Sequence, residues 1–561
     1  MRRGVSVVNK KVCSFPILFA LLALLIGTCA VVFPASAQAA PTSNGSITVS
    51  GTVASSYDAY QIFSANVVDG DNDAKIATDL AWVSDAVRDA ALPVLHSAGM
   101  SKSQTTAQEA AEWLNTDSHL TSALSAQLAR SLQSSGAVFK ALNAGTTAEL
   151  PCGYWLIVAD DDAIAEGEAG TAPIMTLVGG SAVTVKPKAA TPKVAKHVLE
   201  DSTAAWQKAA DATVADDLYW RLSATVPAGL TAYDTYTVQF VDTMSAGLDP
   251  SKVAASMRVY VASGAEGGFD AVPTGKNGRA GTDPAKGWTD ITAQCRVSVD
   301  GKTFTVRTGD LIAALSGADA FTAGARVVAV YNAPLNSACS HGIAKGNPNE
   351  VYLRYPRSPL ADQSGDAGFT RTPSDDACVY TWDLAFTKRG SDGDKPLAGA
   401  VLSIADDRGR TLAADGTWDA EGKATVTTGE DGRVAVSGVD SGKLKVRELK
   451  APKGYTAFEG TRSVTVKAEG LDVDQVAAAK PKLTITAESP LRADSADGST
   501  GSLEASLINT PAGTPPSIFT EGFMPSTGDM AMFTAAAVAV VGAALIVVAL
   551  LVKRGGGSHK E

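Results

Sequence analysis

The sequence predicts a mainly β chain of several domains. A mixed α/β N-terminal domain comes first and two β-sandwich domains follow, with a signal peptide before them and a C-terminal transmembrane helix after them. Three observations predict this. The chain has 561 residues, too many for one ordinary core and enough for about three or four domains of roughly 100–200 residues. Apolar residues make up 45% but aromatics only 6%, a balance that suits many short strands with small side chains. Beyond residue 190 the apolar pattern is that of strands and turns, broken only by the short "GDLIAALSG".

The N-terminus carries Arg2, Arg3, Lys10 and Lys11, then an apolar run from Phe15 to Phe33, then "ASAQAA". Basic residues, an apolar stretch and alternating small residues form a secretory signal over 1–39, cleaved after Ala37 or Ala39; the alternative is an uncleaved signal anchor. Cys29 in "LIGTCA" hints at a lipobox, but Thr28 stands where a smaller residue is expected. The N-terminal domain, 44–186, opens on "SITVSGTVASSYDAYQIF", which alternates like a strand. Segments 77–93 and 105–134 show helical spacing of Ala, Leu, Trp82 and Trp113, and "GYWLIVAD" and "SAVTVK" read as strands. The middle domain, 187–360, holds the strands "LYWRLSATVP", "TYTVQFVDTM", "KTFTVRTG", "ARVVAVYNAPL" and "EVYLRYP". The third domain, 379–511, holds "YTWDLAFTK", "PLAGAVLSIAD", "GRVAVSG", "KLKVRELKAPKGY" and "LEASLIN". Both read as immunoglobulin-like β-sandwiches. Residues 512–529 are a Pro/Thr/Ser/Gly spacer, extended by composition. Residues 530–552 are almost wholly apolar and long enough to span a bilayer as a helix. Lys553 and Arg554 follow and hold the tail, 553–561, in the cytoplasm. The body of the chain is therefore expected outside the cell.

The net charge of −11 and the lack of a basic patch set nucleic acid aside as a partner. Cys13 and Cys29 leave with the signal; Cys152, Cys295, Cys339 and Cys378 remain and can pair in three ways. Cys295 with Cys339 is the favoured pair because both fall in one domain, which leaves Cys152 and Cys378. There is no CxxC, and no metal or other cofactor is expected. The five histidines are scattered, with no HExxH, and no GxSxG is present, so the chain does not read as an enzyme. "DGDNDA" (69–74) lacks the glycine a calcium loop needs at Ala74, and it and "ADDDA" (159–163) read as surface turns.

Before the apolar span stands "FMPSTGD". Met524, Pro525, Ser526, Thr527 and Gly528 resemble the LPxTG cell-wall sorting signal, with Met524 in place of leucine, an unbranched apolar side chain of similar volume. Pro525 forces an extended, kinked backbone that a narrow groove can grip. The resemblance implies that a sortase cysteine attacks the Thr527 carbonyl and expels Gly528, and that an amine resolves the thioester. The chain is then the substrate and sortase the catalyst.

Three segments of the third domain carry a second resemblance. "LAFTKRGSDGDKPLAGAVLSI" resembles the opening of a collagen-adhesin B-type domain, "LKVRELKAPKGY" the E-box of sortase-assembled pilins, and "ASLINTP" the closing strand. The resemblance implies that Lys388 and Asn509 join as an intramolecular isopeptide bond while Glu448 assists. A buried lysine loses its charge and becomes a nucleophile, a buried protonated carboxyl polarises the amide, and folding holds the pair together. The middle domain resembles the fimbrial D2-type isopeptide domain. "TPKVAKHV" points to Lys196, "YTVQFVDTMSAGL" to Asp242, and "GNPNEVYLRYP" to Asn349 by alternation back from Leu353 and Val351, with Asn347, expected outside the strand, as the fallback.

"VTVKPKAA" (183–190) resembles the pilin motif. Its aligned lysine is Lys188, with Lys186 in place of the usual tyrosine, no upstream tryptophan, and Lys193 as a further competitor. Taken together, the chain resembles a sortase-assembled Gram-positive backbone (major) pilin. That implies a cell-surface fimbrium anchored to the wall after transient membrane attachment. Each subunit gives Thr527 to Lys188 of an identical subunit in a head-to-tail polymer, and the last is passed to the peptidoglycan precursor. The rival is a monomeric wall-anchored adhesin, or a tip or basal pilin, that binds a host surface ligand. A wall-anchored hydrolase would need catalytic residues that are not found.

Overall fold

The computed structural model describes residues 43–513 apart from 52, 72–73, 117, 189–190, 228, 264–286 and 316–323. The expected signal peptide, nearly all of the spacer, the sorting motif at 524–528, the apolar span and the basic tail lie outside the described residues. Among the described residues no helix is long and apolar enough to cross a membrane.

The described chain is mainly β. Its first unit has two sheets and three helices. Asn44–Val49 pairs antiparallel with Thr147–Pro151 and parallel with Val183–Val185. Ser56–Asp69, which contains "YQIF", lies between Lys75–Trp82 and Gly153–Ala159. The helices Asp85–Ser97, Ala107–Asn115 and Ser122–Ser134 bury alanine and leucine stripes against the second sheet. Ser84, Thr106 and Thr121 cap them, each accepting from the backbone N–H three residues on.

The helical spacing expected over 77–93 gives way here. Residues up to Trp82 are strand, and the helix begins after Ser84. A bulge between Ser64 and Asn66 shifts the pairing of Lys75–Trp82, and Asp79 takes a φ of 54°. A bulged strand loses strict alternation, so its apolar residues mimic a three- and four-residue repeat. The helical spacing expected over 105–134 falls in two helices, Ala107–Asn115 and Ser122–Ser134.

In the middle unit, Lys193–Glu200, Tyr219–Val226, Ala325–Asn332 and Arg258–Ser263 form the centre of one sheet. Asp375–Tyr380, Asn347–Pro356, Gln239–Met244, Thr303–Arg307 and Arg296–Asp300 form the facing sheet. Trp220, Phe240, Phe304, Tyr331 and Leu353 fill the space between them. The third unit is also two-layered. In one sheet Trp382–Gly390 lies parallel to Ser502–Pro511, its first and last strands side by side. The other is centred on Val401–Ala405, Gly442–Lys450 and Thr461–Glu469.

The boundaries expected at 360 and 379 are corrected. The middle sheet continues through Phe369–Arg371 and Asp375–Tyr380, and the third unit's first strand begins at Trp382. Asp375–Tyr380 serves both units because its faces alternate: Ala377 and Val379 enter the middle core, Cys378 and Tyr380 the third.

Gly153 opens its strand with a φ of +143°, and a Cβ there would stand 2.0 Å from the Phe63 carbonyl oxygen. Gly153→Ala is expected to destabilise the first unit by at least about 2 kcal/mol, read by calorimetry as a lowered transition beside unchanged later ones.

Candidate functional site: two buried lysine–carboxylate–amide clusters

In the third unit the parallel pairing sets Lys388 opposite Leu507 and Gly390 opposite Asn509. Lys388 and Asn509 therefore point to the same face two rungs apart, and that face is the core side. Glu448 reaches in from Gly442–Lys450 on the opposing sheet. Lys388 Nζ donates to Asn509 Oδ1 at 2.5 Å and lies 3.0 Å from Glu448 Oε1. Asn509 Nδ2 donates to the same Glu448 oxygen at 2.9 Å. Phe458 N donates to the other carboxylate oxygen at 3.0 Å, and the Phe458 ring lies 5.3 Å from the ammonium. The side chains of Lys388 and Glu448 have no solvent exposure. Burial pushes the Lys388 amine down from its ordinary range, opposed by the Glu448 charge.

The middle unit builds its cluster across the two sheets. Lys196 stands on Lys193–Glu200; Asp242 and Asn349 stand on adjacent strands of the facing sheet, where Met244 pairs with Asn349. All three are fully buried. Lys196 Nζ contacts Asp242 Oδ2 and lies 2.9 Å from the Tyr331 hydroxyl. That hydroxyl donates to Asp242 Oδ2 at 3.0 Å and accepts from Asn349 Nδ2 at 2.8 Å. Two buried oxygens, Asp242 Oδ1 and Asn349 Oδ1, have no hydrogen-bond partner. Burial lowers the Lys196 amine to about 8 despite the nearby Asp242, and burial raises the Asp242 carboxyl. Both shifts favour the neutral pair. Trp220 lies 5.4 Å from the nitrogen, so the wall of the site is aromatic.

Each cluster thus holds an amine with weakened charge, a primary amide and a carboxyl group, shut away from water. Such a set can join amine to amide and release ammonia. Tyr331 was not readable as part of it: it occupies an ordinary inward position in "ARVVAVYN". Asn347, expected outside the strand, is its first residue and is buried. Its amide is engaged elsewhere, donating to the Ser340 and Val379 carbonyls and accepting from Ser340 N.

Lys186, Lys188 and Lys193 are all exposed around the first junction, while Pro187 between the first two is buried. The four cysteines are free thiols, which corrects the favoured Cys295–Cys339 pairing. Cys295 adjoins Arg296, whose partner Arg307 faces Gln239 at the start of its strand. Cys339 packs beside Gly247, beyond Met244 at that strand's other end. The intervening strand is about 20 Å long, and a disulfide needs Cα atoms within about 7 Å. Cys152 lies in the first core and Cys378 in the third. Among the described residues no cluster of His, Cys, Asp and Glu is arranged to hold a metal ion.

Residues 383–480 match the SpaA family, a prealbumin-like fold domain. Over 143 residues the chain is 32% identical to the trypsin-resistant surface T6 protein of Streptococcus pyogenes serotype M6; the match spans 24% of this chain and 24% of that one. Among solved structures, the T6 backbone pilin of that serotype superposes at TM-score 0.45 and 17% identity, over 84% of this chain and 98% of the other. The full-length major pilin SpaD of Corynebacterium diphtheriae superposes at TM-score 0.41 and 14% identity, over 85% and 100%.

The lowered Lys196 amine makes stability depend on pH. In an Asn349→Ala chain, which has no amide beside Lys196, the unfolded lysine keeps its proton between about pH 8 and pH 10.4 while the folded one has lost it. The unfolded state binds more protons in that window, so stability rises with pH across it, by about 3 kcal/mol in all. Adding Lys196→Met should abolish the rise. Asp242 acts in the opposite sense: its raised folded pKa makes stability fall as pH climbs above the ordinary carboxyl range. Chemical denaturation at stepped pH measures both.

Proposed function

We propose that the chain is a backbone subunit of a covalently polymerised surface pilus, with an isopeptide bond closing each of its two sandwiches. The observation that carries this reading is the buried Lys388–Glu448–Asn509 cluster, set between the first and last strands of a unit that matches the SpaA domain. A lysine and an amide meeting without water have little purpose in packing alone, because burying the ammonium costs several kcal/mol.

In the third unit Glu448 Oε1 faces both the nucleophile and the leaving group. Lys388 Nζ attacks Asn509 Cγ, and its proton passes through Glu448 to Asn509 Nδ2. The Cγ–Nδ2 bond breaks and ammonia leaves, so a secondary amide joins residues 121 apart. In the middle unit Asp242 has the same role toward Lys196 and Asn349. A proton on Asp242 Oδ1 gives that orphaned oxygen something to donate, and Asn349 Oδ1 is the acceptor left without a donor. The polarised carbonyl is then open to the neutral amine. Closing a loop of this size removes unfolded-state entropy worth about 5 kcal/mol by the disulfide analogy, and no reductant undoes it.

Outside the cell a sortase cuts between Thr527 and Gly528 and passes Thr527 to Lys188 of the next subunit, whose side chain stands in water beside the buried Pro187. A head-to-tail contact of this kind need not close, so it yields a fibre. The terminal subunit passes to the peptidoglycan precursor, anchoring the fibre to the wall.

Two measurements test this. The intact mass of the folded chain should fall short of the sequence mass by two ammonias; Asn349→Ala or Asp242→Ala restores one, Asn509→Ala or Glu448→Ala the other. A native mass equal to the sequence mass would falsify the internal bonds. Separately, a boiled immunoblot of muramidase-released wall protein should show a high-mass ladder that collapses to monomer in Lys188→Ala. A ladder that survives moves the joining residue to Lys186 or Lys193, and a single native band leaves a monomeric adhesin.

A further inference from the structure

A third cluster lies at the junction of the middle and third units, apart from both lysine sites. Cys339 and His341 sit on the loop leading into Asn347–Pro356, and Asp383 on the strand Trp382–Gly390. Cys339 Sγ lies 3.4 Å from His341 Nε2. His341 Nδ1 lies 2.7 Å from both oxygens of Asp383. The thiol and the carboxylate contact opposite nitrogens of one imidazole, so no single metal ion could take all three. With its Nδ1 hydrogen held by the carboxylate, His341 presents the Nε2 lone pair to the thiol. This is the order nucleophile, base, orienter.

The loop is held in place from both sides. Cys339 N donates to Asn336 O at 3.1 Å, and the Asn347 amide brackets Ser340 with two 2.8 Å hydrogen bonds. Gly342 N donates to Thr381 O at 3.1 Å. At Gly342 φ is +75°, and a Cβ would stand 2.5 Å from the Thr500 carbonyl carbon, so the close approach requires glycine. Asp383 is fixed by Gly438 N, which donates to its Oδ1 at 3.2 Å, and by its own N–H to Gly501 O at 2.8 Å. The thiol is therefore placed by the middle unit and its base oriented by the third. His341 and Asp383 side chains are 27% and 37% exposed and Cys339 is partly exposed, so a small reagent can reach them.

We propose that Cys339, His341 and Asp383 form a thiol-exchange site that captures low-molecular-weight disulfides as a mixed disulfide on Cys339. Burial pushes the Cys339 thiol above its ordinary range, with Asp383 adding to the rise, so the thiolate is not preformed and the base must act during attack. As Sγ attacks, its proton passes to His341 Nε2. The new S–S bond forms while the S–S bond of the incoming disulfide breaks, and the departing thiolate takes the proton from Nε2. One thiol and one disulfide enter; one mixed disulfide and one thiol leave. His341 is the base, and Asp383 is a positioning residue. The site does not depend on polymerisation.

The test treats the folded chain at neutral pH with the aromatic disulfide dithiobis(nitrobenzoate) and follows each cysteine by peptide mass spectrometry. Cys295 is also partly exposed and has backbone groups of Ile291 and Gly309 beside its sulfur, which makes it the internal reference. Cys339 is expected to react at least about tenfold faster than Cys295. His341→Ala should bring it to the Cys295 rate, and added imidazole should restore part of the loss. Asp383→Asn should slow Cys339 alone. The proposal is overturned if Cys339 reacts no faster than Cys295, if His341→Ala leaves its rate unchanged, or if imidazole restores nothing, since that last result marks a packing role.

Discussion

A lysine amine removed from water is costly to charge, and in this chain two of them, on Lys196 and Lys388, sit fully buried in the sandwiches. The structure around each answers that cost in the same three ways: a carboxyl group at contact distance, an amide within reach, and an aromatic wall of Trp220 and Tyr331 or of Phe458. The rest of the two folds must be compatible with these meetings. Lys196 and Asn349 meet at the Tyr331 hydroxyl because Met244 pairs with Asn349 in one sheet and Leu222 with Lys196 in the other. A slip of one residue in either strand would turn the side chain out of the core and leave a carboxyl or an ammonium unpaired.

The same economy of shared elements governs the junctions. Asp375–Tyr380 is a strand of the middle sheet whose alternate side chains belong to the third core. Asp211, at the end of a short middle-unit strand, accepts from Trp382 Nε1 at 2.6 Å and from Ser441 N at 3.0 Å. Glu200 beside it is pushed up to about 7 by burial and by Asp211, and Asp440 is raised well above the carboxyl range for the same reasons. Crowded carboxyls are tolerated there because protonation relieves the repulsion, while Arg410 joins Asp216 to Asp406 across the outer edge. At the other end of the middle unit Arg130 donates to the Pro359 carbonyl at 2.8 Å and pairs with Asp234 at 2.9 Å.

These junctions bear on function. In the fibre proposed above load would pass through every unit, and a unit joined to the next by a shared strand and buried hydrogen bonds resists separation better than one joined by a free linker. The thiol cluster depends on the same junction: Cys339 and Asp383 come from different units, and only their docking orients His341 between them.

Sequence by itself determined the strand-rich class, and it pointed to the lysines and carboxyls that meet in the two cores and to Asn509, while in the middle unit it left Asn347 beside Asn349. Each sits in a strand whose alternation and flanking motif are local properties. Tertiary structure decided what depends on distant pairing. The bulge opposite Asn66 turned an apparent helix start into strand, and Asp375–Tyr380 moved the domain boundary. Asn349 was separated from Asn347 by what each amide touches, and Tyr331 entered the middle cluster from a strand with no polar signature. Cys295 and Cys339, neighbours by domain, proved to be at opposite ends of a sheet. His341 and Asp383 are 42 residues apart in the chain and 2.7 Å apart in space. Periodicity records which face a residue takes. Which residue from another strand shares that face is settled only by register and docking, whose interactions join residues from tens to more than a hundred positions apart.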